Sequence, residues 1–201
     1  MNFVVLHITD GREDYAERSL ASAKEHLPEP QALISVDDST HELGFAGAIA
    51  RGWARIREET PDAAWVFHLE DDFTFNGTVP LDRMAAVLKR RPYLVQMSLK
   101  RQPWNEREKA AGGIVEADPD DFTQHTEVGD VWTEHRRYFT TNPSLYPAAL
   151  CAQGWPQVDQ SEGIFTHRLL EDPKVRFGVW GAKYDPPLVE HIGKARAGHS
   201  Y

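Results

Sequence analysis

The stretch WVFHLEDDF at residues 65–73 decides how this sequence is interpreted. Its first five residues are apolar apart from His68, and a short apolar run is typical of a buried β-strand. The run ends in three consecutive carboxylates, Glu70, Asp71 and Asp72, which we call the acidic triplet. A strand that ends this way places negative charge at one edge of a sheet. The neighbouring strands therefore determine what that edge can bind.

Two strand–helix units precede the acidic triplet. Residues 3–8 (FVVLHI) and 32–36 (ALISV) are apolar runs of strand length. Each is followed by a segment whose apolar residues recur every three or four positions, as in DYAERSLASAKEHL, and this spacing predicts helices. Strands that alternate with helices over short links predict a parallel sheet covered by helices. Further strands are expected at 93–99, 144–150, 175–181 and 187–193, with a helix starting near Thr78 and another over 162–171 that Ser161 caps.

The whole chain, residues 1–201, is expected to form one α/β domain with a mixed, mostly parallel sheet flanked by helices, since 201 residues is an ordinary length for one domain. Residues 1–100 carry the regular alternation of strands and helices. Residues 101–137 are polar and are interpreted as a long excursion, partly mobile, that carries a hairpin. Residues 138–201 supply the remaining strands.

Composition excludes several classes of protein. The 22 basic and 31 acidic side chains give a net charge of −9, which argues against binding to nucleic acid that is mainly electrostatic. Cys151 is the only cysteine, so a disulfide framework and a cysteine-built zinc site are excluded. No apolar run approaches the length of a membrane span. The first residues, MNFVVLHITDGRED, lack a basic segment and fit a first strand rather than a signal peptide. We therefore expect a cytoplasmic protein.

Acidic residues follow each of the first three predicted strands. Asp10 follows the first strand, Asp37 and Asp38 follow the second, and the acidic triplet follows the third. If these strands are parallel, all of the carboxylates lie at the carboxyl edge of one sheet, where open α/β sheets bind ligands. A divalent cation such as Mg²⁺ or Mn²⁺ would neutralise them. The alternative interpretation is that each cluster is an ordinary polar turn.

Common phosphate-binding and nucleophile motifs are absent. The first strand–helix turn, TDGREDY, lacks G-x-G-x-x-G, and no G-x-x-x-x-G-K-[ST] or G-x-S-x-G is found elsewhere. A Rossmann dinucleotide site, a P-loop and a hydrolase nucleophile elbow are therefore not expected. What remains is a phosphate held by a metal ion on acidic side chains.

Several stretches resemble the GT-A glycosyltransferases. VFHLEDDF resembles the acidic triplet that ends a central strand in that family and holds a divalent ion against the diphosphate of a nucleotide sugar. VVLHITDGR, SVDDS and LGFAGAIARGW resemble the family's first strand, second strand and the helix before the triplet. FTTNPSLYP, GWPQVDQSEGIFTHRL and VEHIG resemble the acceptor half and the late strand that completes the metal site. The resemblance covers most of the chain outside 101–137.

The resemblance implies a metal-dependent transfer of a sugar from a nucleoside diphosphate sugar to an acceptor hydroxyl. UDP is favoured as the nucleotide because it is frequent in the family. The implied metal ligands for Mn²⁺ or Mg²⁺ are Asp72, Glu70 and His191. The implied donor-binding residues are Thr9, Asp10, Gly11, Asp37, Asp38, Arg51, Glu70 and Asp71. His191 could equally be an ordinary packed residue of its strand.

The general base of the implied reaction is Glu162 or Asp159. Family members often carry Glu-Asp at this place, whereas this sequence has Glu162-Gly163, so the choice between the two carboxylates stays open. A carboxylate at a helix N-terminus is kept ionised by the free backbone N–H groups, and direct transfer with such a base inverts the anomeric carbon. Glu162 could also serve only to stabilise the first turn of its helix.

Three other functions are compatible with parts of the sequence. EDDFTFNGT loosely resembles the start of a haloacid dehalogenase phosphatase, although that strand normally opens its domain. A nucleotidyltransferase would share the fold but would need a glycine-rich basic loop after the first strand. A binding module could keep the sheet and lack catalysis. The acceptor is not identified by the sequence.

Overall fold

The computed structural model describes residues 1–193. The strands are β1 (Phe3–Thr9), β2 (Ala32–Asp37), β3 (Trp65–Glu70), β4 (Phe73–Phe75), β5 (Leu94–Leu99), β6 (Thr123–Glu127), β7 (Asp130–His135), β8 (Ser144–Pro147), β9 (Arg176–Trp180) and β10 (Val189–His191). The helices are α1 (Glu13–His26), α2 (Gly44–Glu59), α3 (Leu81–Arg90), α4 (Glu106–Ala111), α5 (Ile114–Ala117) and α6 (Ser161–Leu170), with 3₁₀ turns at Pro119–Asp121 and Ala148–Gln153.

Eight strands form one mixed sheet in the order β2-β1-β3-β8-β5-β9-β7-β6. β1 is parallel to both β2 and β3, and β5 is parallel to β9. β8 is inserted antiparallel between β3 and β5, and β7 runs antiparallel to β9. A second, small sheet pairs β4 with β10 antiparallel. The expected mixed, mostly parallel sheet flanked by helices is confirmed.

Apolar layers cover both faces of the large sheet. Val5 and Phe67 belong to one layer, with side chains from α1 and α3. Leu6 and Val66, which alternate with them along the strands, belong to the other layer with α2 and α6. Because these strands are buried on both faces, their sequences are continuous apolar runs. The layer under α2 is centred on Trp53, whose indole Nε1 donates to the Tyr146 hydroxyl at 3.0 Å.

The segment 101–137 contains the expected hairpin, as β6 and β7. The rest of the segment differs from the expected excursion, because it forms α4, α5 and a 3₁₀ turn, and its hairpin extends the large sheet. The segment is held in place by three apolar side chains that are each at most 1% exposed, Val115, Phe122 and Trp132. These apolar residues are too widely spaced along the chain to show a periodic pattern, so the sequence did not indicate their burial.

Two boundaries also differ from expectation. The strand expected over 144–150 ends at Pro147, after which the chain turns into a 3₁₀ helix. Ser161 does not cap α6: the capping position is Gln160, in the left-handed conformation, and Ser161 is the first helical residue and is buried. Within residues 1–193 no helix is both long enough and apolar enough to cross a membrane.

Candidate functional site

The ends of β1, β2 and β3 lie side by side at the carboxyl edge of the large sheet. Thr9 is paired in register with Asp37, and Ile8 with Glu70. The three acidic clusters therefore meet at one edge, because the strands that precede them are parallel neighbours. This arrangement depends on strand order and direction, and it sets the position of the acidic clusters at that edge.

The guanidinium of Arg12 joins three carboxylates of this edge. Arg12 Nε donates to Asp10 Oδ1 at 2.7 Å, and Arg12 Nη2 donates to Asp71 Oδ1 at 2.5 Å and to Asp72 Oδ2 at 3.0 Å. The side chains of Asp71 and Asp72 are nearly buried, at 3% and 8% exposure, whereas that of Arg12 is 22% exposed. Buried carboxylates need a positive partner, and here the chain supplies one.

Asp71 is also bound to the end of β1. Its Oδ2 accepts a hydrogen bond from Thr9 Oγ1 at 2.9 Å and a longer one from the Asp10 N–H at 3.4 Å. Burial nevertheless raises the pKa of Asp71 above its ordinary value, against the opposing effects of Arg12 and Thr9. Asp71 thus links β3 to the first strand–helix turn.

Asp72 faces His191 on the small sheet. His191 Nε2 lies 3.2 Å from Asp72 Oδ2, and the Ile192 N–H donates to the Asp72 carbonyl at 2.7 Å. Burial alone would raise the pKa of Asp72, but the hydrogen bonds and charges of His191 and Arg12 outweigh it, so the pKa lies below its usual range. The second oxygen, Oδ1, is buried without a hydrogen-bond partner.

His191 is positioned by residues that follow β5. The side-chain amide of Gln102 pairs with the His191 backbone in both directions, accepting from its N–H and donating to its carbonyl at 2.8 Å each. The His191 ring packs perpendicular to Trp104, with centroids 4.3 Å apart, and against Phe73 at 4.8 Å. The imidazole is thereby held in one place next to Asp72.

The donor set fits a hard divalent cation only in part. Asp72 Oδ1 is an unpartnered buried oxygen, and Asp72 and His191 are a carboxylate and an imidazole side by side. Within the described residues, 1–193, no three His, Cys, Asp or Glu side chains converge into a metal cage. Mg²⁺ commonly takes only one or two protein carboxylates and completes its shell with substrate phosphates and water. These residues therefore suit a metal that arrives with a phosphorylated ligand.

Glu70 and Glu162 form a second pair of carboxyl groups beside the first. Burial, followed by the charges of Asp72, Glu162 and Asp71, raises the pKa of Glu70 to about 8 against a hydrogen bond from Thr141. Glu162 Oε1 accepts from the Thr141 N–H at 2.8 Å. The site thus contains two carboxyl groups that repel each other in the ionised form.

The pKa of Glu162 lies above its ordinary value. Burial raises it, and the hydrogen bonds from Thr141 and Thr140 oppose that effect without cancelling it. The sequence argument expected the helix N-terminus to favour the ionised form. The first turn of α6 does contain Glu162, but removal from water has the larger effect. A carboxylate with a raised pKa is a stronger base, better matched to work near neutral pH.

Glu162 and Asp159 both line a cavity of about 420 Å³ between the first turn of α2 and residues 157–162. Asp159 is exposed in the turn before α6. The apolar side chains of Phe45 and Val158, which are 44% and 53% exposed, also line the cavity. The cavity therefore lies directly beside Glu162.

The remaining donor-binding candidates are positioned differently. Asp37 Oδ1 accepts from the Ser39 N–H at 2.8 Å, and Asp38, which is buried, accepts from the Leu43 N–H at 2.9 Å before α2. Both therefore shape the β2–α2 loop. Arg51 is exposed on α2. In the part of the chain that the structure describes, no hydrogen bond joins Asp37, Asp38 or Arg51 to the acidic triplet.

Gly11 is required where two loops meet. Its φ of +87° is a left-handed conformation, and a Cβ at this position would lie 2.5 Å from the Cβ of Ser39. Only glycine allows the β1–α1 turn to approach the β2–α2 loop this closely. Gly11 thus shapes the site through its backbone.

Sequence reasoning missed four residues of this site: Arg12, Gln102, Trp104 and Thr141. A signal for Arg12 was present, because a basic residue two positions after Asp10 lies on the same turn as the acidic cluster. The other three are distant along the chain from the residues they contact, and nothing local marks them.

Comparison with known proteins gives matches only at the level of structure. No protein-family model and no curated protein matches the chain. The structure of TarS 1–349 from S. aureus, a glycosyltransferase, superposes with a TM-score of 0.60 at 12% identity over 96% of this chain. A197 from STIV superposes with a TM-score of 0.56 at 8% identity, over 99% of this chain and 100% of that one.

This chain spans 60% of the TarS chain, so the larger protein has parts with no counterpart here. At identities of 8% and 12% the superpositions are evidence of shared architecture. The mixed, mostly parallel sheet and its flanking helices agree with that architecture. The protein therefore has a GT-A-like α/β fold.

Proposed function

We propose that this protein is a metal-dependent glycosyltransferase that moves a sugar from a nucleoside diphosphate sugar, with UDP the favoured nucleotide, to an acceptor hydroxyl. One observation carries the proposal. The acidic triplet ends a central strand of a GT-A-like sheet, with Asp72 beside His191 and with Glu70 beside Glu162. The proposed metal ligands and the proposed base are thus brought together by two residues at the end of β3, since Asp72 contacts His191 of β10 and Glu70 lies close to Glu162 of α6.

Asp72 and His191 are the proposed metal ligands, with Glu70 as a further ligand. A bound Mn²⁺ or Mg²⁺ would stabilise the negative charge that develops on the leaving diphosphate. Glu70 would have to lose its proton to take part, and a nearby cation would lower its pKa. Thr9, Asp10, Gly11 and Asp71 form the adjoining wall, which we assign to the donor nucleotide together with Asp37, Asp38 and Arg51.

Glu162 is the proposed general base. Its carboxylate is oriented by the Thr141 N–H and would take the proton of the acceptor hydroxyl while that oxygen bonds to the anomeric carbon. The bond between this carbon and the diphosphate oxygen breaks at the same time, so one displacement inverts the configuration. Asp159 lines the same cavity but is exposed, which makes it the weaker candidate.

The cavity beside Glu162 is the proposed acceptor site. Among the described residues, 1–193, those that line it include the two carboxylates Asp159 and Glu162 and no lysine or arginine. Such a lining disfavours a phosphorylated acceptor, because an anion there would meet like charge without a partner. Phe45 and Val158 offer apolar surface of the kind that packs against a sugar ring. We therefore expect an uncharged acceptor.

The test of the proposed function is calorimetric titration with UDP, GDP, CMP and dTDP and their sugars, with and without Mn²⁺. We expect one nucleoside diphosphate to bind in a Mn²⁺-dependent manner to the wild-type protein. Asp72→Asn should lower that Mn²⁺-dependent affinity at least about tenfold, since it removes a charged ligand. Asp82→Asn, which changes an exposed carboxylate of α3, is the matched control.

Three outcomes would contradict the proposal. Equal Mn²⁺-dependent binding by Asp72→Asn and wild type would remove the metal assignment. Release of phosphate from p-nitrophenyl phosphate without nucleotide binding would support the phosphatase alternative. Tight nucleotide-sugar binding with neither transfer nor donor hydrolysis would indicate a binding module.

A further inference from the structure

Arg12 occupies the position where a cation is needed. Its guanidinium contacts Asp10, Asp71 and Asp72 at 2.5–3.0 Å. Within the described residues, 1–193, no other lysine or arginine side chain forms an ion pair with Asp71 or Asp72. The free protein therefore already contains a positive group between the carboxylates that a divalent ion would use.

The contact with Asp72 has a direct consequence for metal binding. Asp72 Oδ2 receives both Arg12 Nη2 at 3.0 Å and His191 Nε2 at 3.2 Å, so only Oδ1 lacks a partner. A metal ion at Asp72 would meet the fixed positive charge of Arg12 within a few ångströms. Like charges at that distance repel strongly away from bulk water. Metal binding thus requires the guanidinium to move away or to be neutralised by an anion.

A diphosphate is a suitable anion for this purpose. Guanidinium groups bind phosphate oxygens through two parallel hydrogen bonds, and Arg12 is the most exposed member of its cluster at 22%. Its guanidinium also lies 4.9 Å from the centre of the Tyr15 ring, which offers a surface on which it can shift without losing all contact. Arg12 can therefore exchange its carboxylate partners for a phosphate.

We propose that Arg12 competes with the divalent cation for the acidic triplet in the free protein and transfers to the diphosphate when the donor binds. Metal and nucleotide then bind cooperatively, and each raises the affinity of the other by the same factor. This inference rests on the proposed function, since it takes the ligands to be a metal ion and a nucleoside diphosphate. Arg12 is a positioning residue in this scheme, because it controls when the metal site becomes available.

The test is the binding of Mn²⁺ alone, measured by electron paramagnetic resonance of free Mn²⁺, in wild type, Arg12→Gln and Arg18→Gln. Arg18 is an exposed arginine of α1, so its replacement changes the net charge equally without touching the cluster. We expect Arg12→Gln to bind Mn²⁺ at least about tenfold more tightly than wild type, because the competing charge is gone. Arg18→Gln should match wild type.

The second measurement repeats the titration with saturating UDP and, in parallel, GDP. In wild type the effective nucleotide should raise Mn²⁺ affinity at least about tenfold, whereas in Arg12→Gln the increase should be smaller. Arg12→Lys keeps the charge but not the planar set of donors, so its nucleotide-induced increase in Mn²⁺ affinity should lie between those of wild type and Arg12→Gln. Arg12→Lys replaces Arg12→Gln if that variant does not fold.

The outcomes separate this inference from the proposed function. Equal affinity for Mn²⁺ alone in wild type and Arg12→Gln, or equal Mn²⁺ affinity in wild type with and without nucleotide, overturns the role of Arg12 and leaves the transferase proposal standing. If neither wild type nor Arg12→Gln binds Mn²⁺, with or without either nucleotide, both the role of Arg12 and the proposed function are overturned.

Discussion

Glu162 is the residue whose replacement bears most directly on chemistry. Its carboxylate is held by the Thr141 N–H at 2.8 Å, and burial raises its pKa. Glu162→Gln keeps the shape and loses the base, so we expect the transfer rate to fall about 10²- to 10⁴-fold with little change in donor affinity. Asp159→Asn should stay near the wild-type rate. The measurement is initial transfer rate with calorimetric donor binding, and retention of anomeric configuration in the product would reject this role.

Gly11 permits a prediction about stability. A Cβ would lie 2.5 Å from Ser39 Cβ and 2.9 Å from Ser39 Cα, and φ is +87°. Gly11→Ala should therefore lower the free energy of unfolding by about 1–3 kcal/mol. Gly77→Ala is the control, because nothing lies within 4 Å of its added Cβ. Urea unfolding of both variants checks the prediction, and equal stabilities would show that the two loops separate at little cost.

At the scale of elements, the short strand β10 depends on the chain that follows β5. β10 pairs with the three-residue strand β4, and Val189 forms a single parallel bridge with Arg101. The Gln102 amide adds two hydrogen bonds to the His191 backbone. A strand this short has little stability of its own. The placement of His191 beside Asp72 is therefore a property of the contact between two segments that are 89 residues apart in sequence.

Gln102→Ala should loosen β10. The amide of His191 loses its acceptor, so hydrogen exchange over residues 189–193 should become at least about tenfold faster while exchange in β3 stays slow. Gln124→Ala removes a similar bond, the one from the Lys183 N–H to Gln124 Oε1 at 3.1 Å, and should leave β10 unchanged. Hydrogen exchange with mass spectrometry gives the measurement. Unchanged protection in Gln102→Ala would mean that Trp104 and β4 suffice to hold the strand.

At the scale of the whole molecule, buried neutral histidines make stability depend on pH. His135 on β7 is 3% exposed and packs against Phe122, Tyr138 and Phe177. Burial, with a smaller effect from Arg137, lowers its pKa from 6.5 to about 3. The unfolded chain binds a proton at this residue below about pH 6.5, whereas the folded protein does not until about pH 3. Stability is therefore lost as the pH falls through that window.

Replacing His135 should lower by one the number of protons that the chain takes up on unfolding in this pH range. Well below pH 6.5 each such histidine contributes a slope of about 1.4 kcal/mol per pH unit to the free energy of unfolding. His135→Asn, whose amide oxygen can accept from the Arg137 N–H as Nδ1 does at 3.2 Å, should show a slope smaller by that amount between pH 5.5 and 4.5. Urea unfolding at several pH values measures it, with exposed His167→Asn as control. An unaltered slope in His135→Asn would place the proton uptake elsewhere.

The amino-acid sequence by itself determined the strand–helix alternation of residues 3–99 and, through it, the acidic edge of the sheet. Apolar runs such as FVVLHI and ALISV are local features that mark strands. FVVLHI is buried on both faces, whereas ALISV forms the edge strand β2, where Leu33 is 48% exposed. The parallel order of β1, β2 and β3 then brings Asp10, Asp37 and the acidic triplet to one edge without further information.

Only the tertiary structure decided how that edge is occupied and supported. Arg12 could have pointed into solvent, and its position between Asp71 and Asp72 depends on how the β1–α1 turn packs against β3. The contact of Gln102 with His191, and that of Thr141 with Glu162, joins residues far apart in sequence. Such contacts leave no periodic pattern in the chain. The direction in which the pKa of Glu162 shifts was likewise decided by burial. The sequence indicates that Glu162 lies in the first turn of a helix, but it does not show that the carboxyl group is buried.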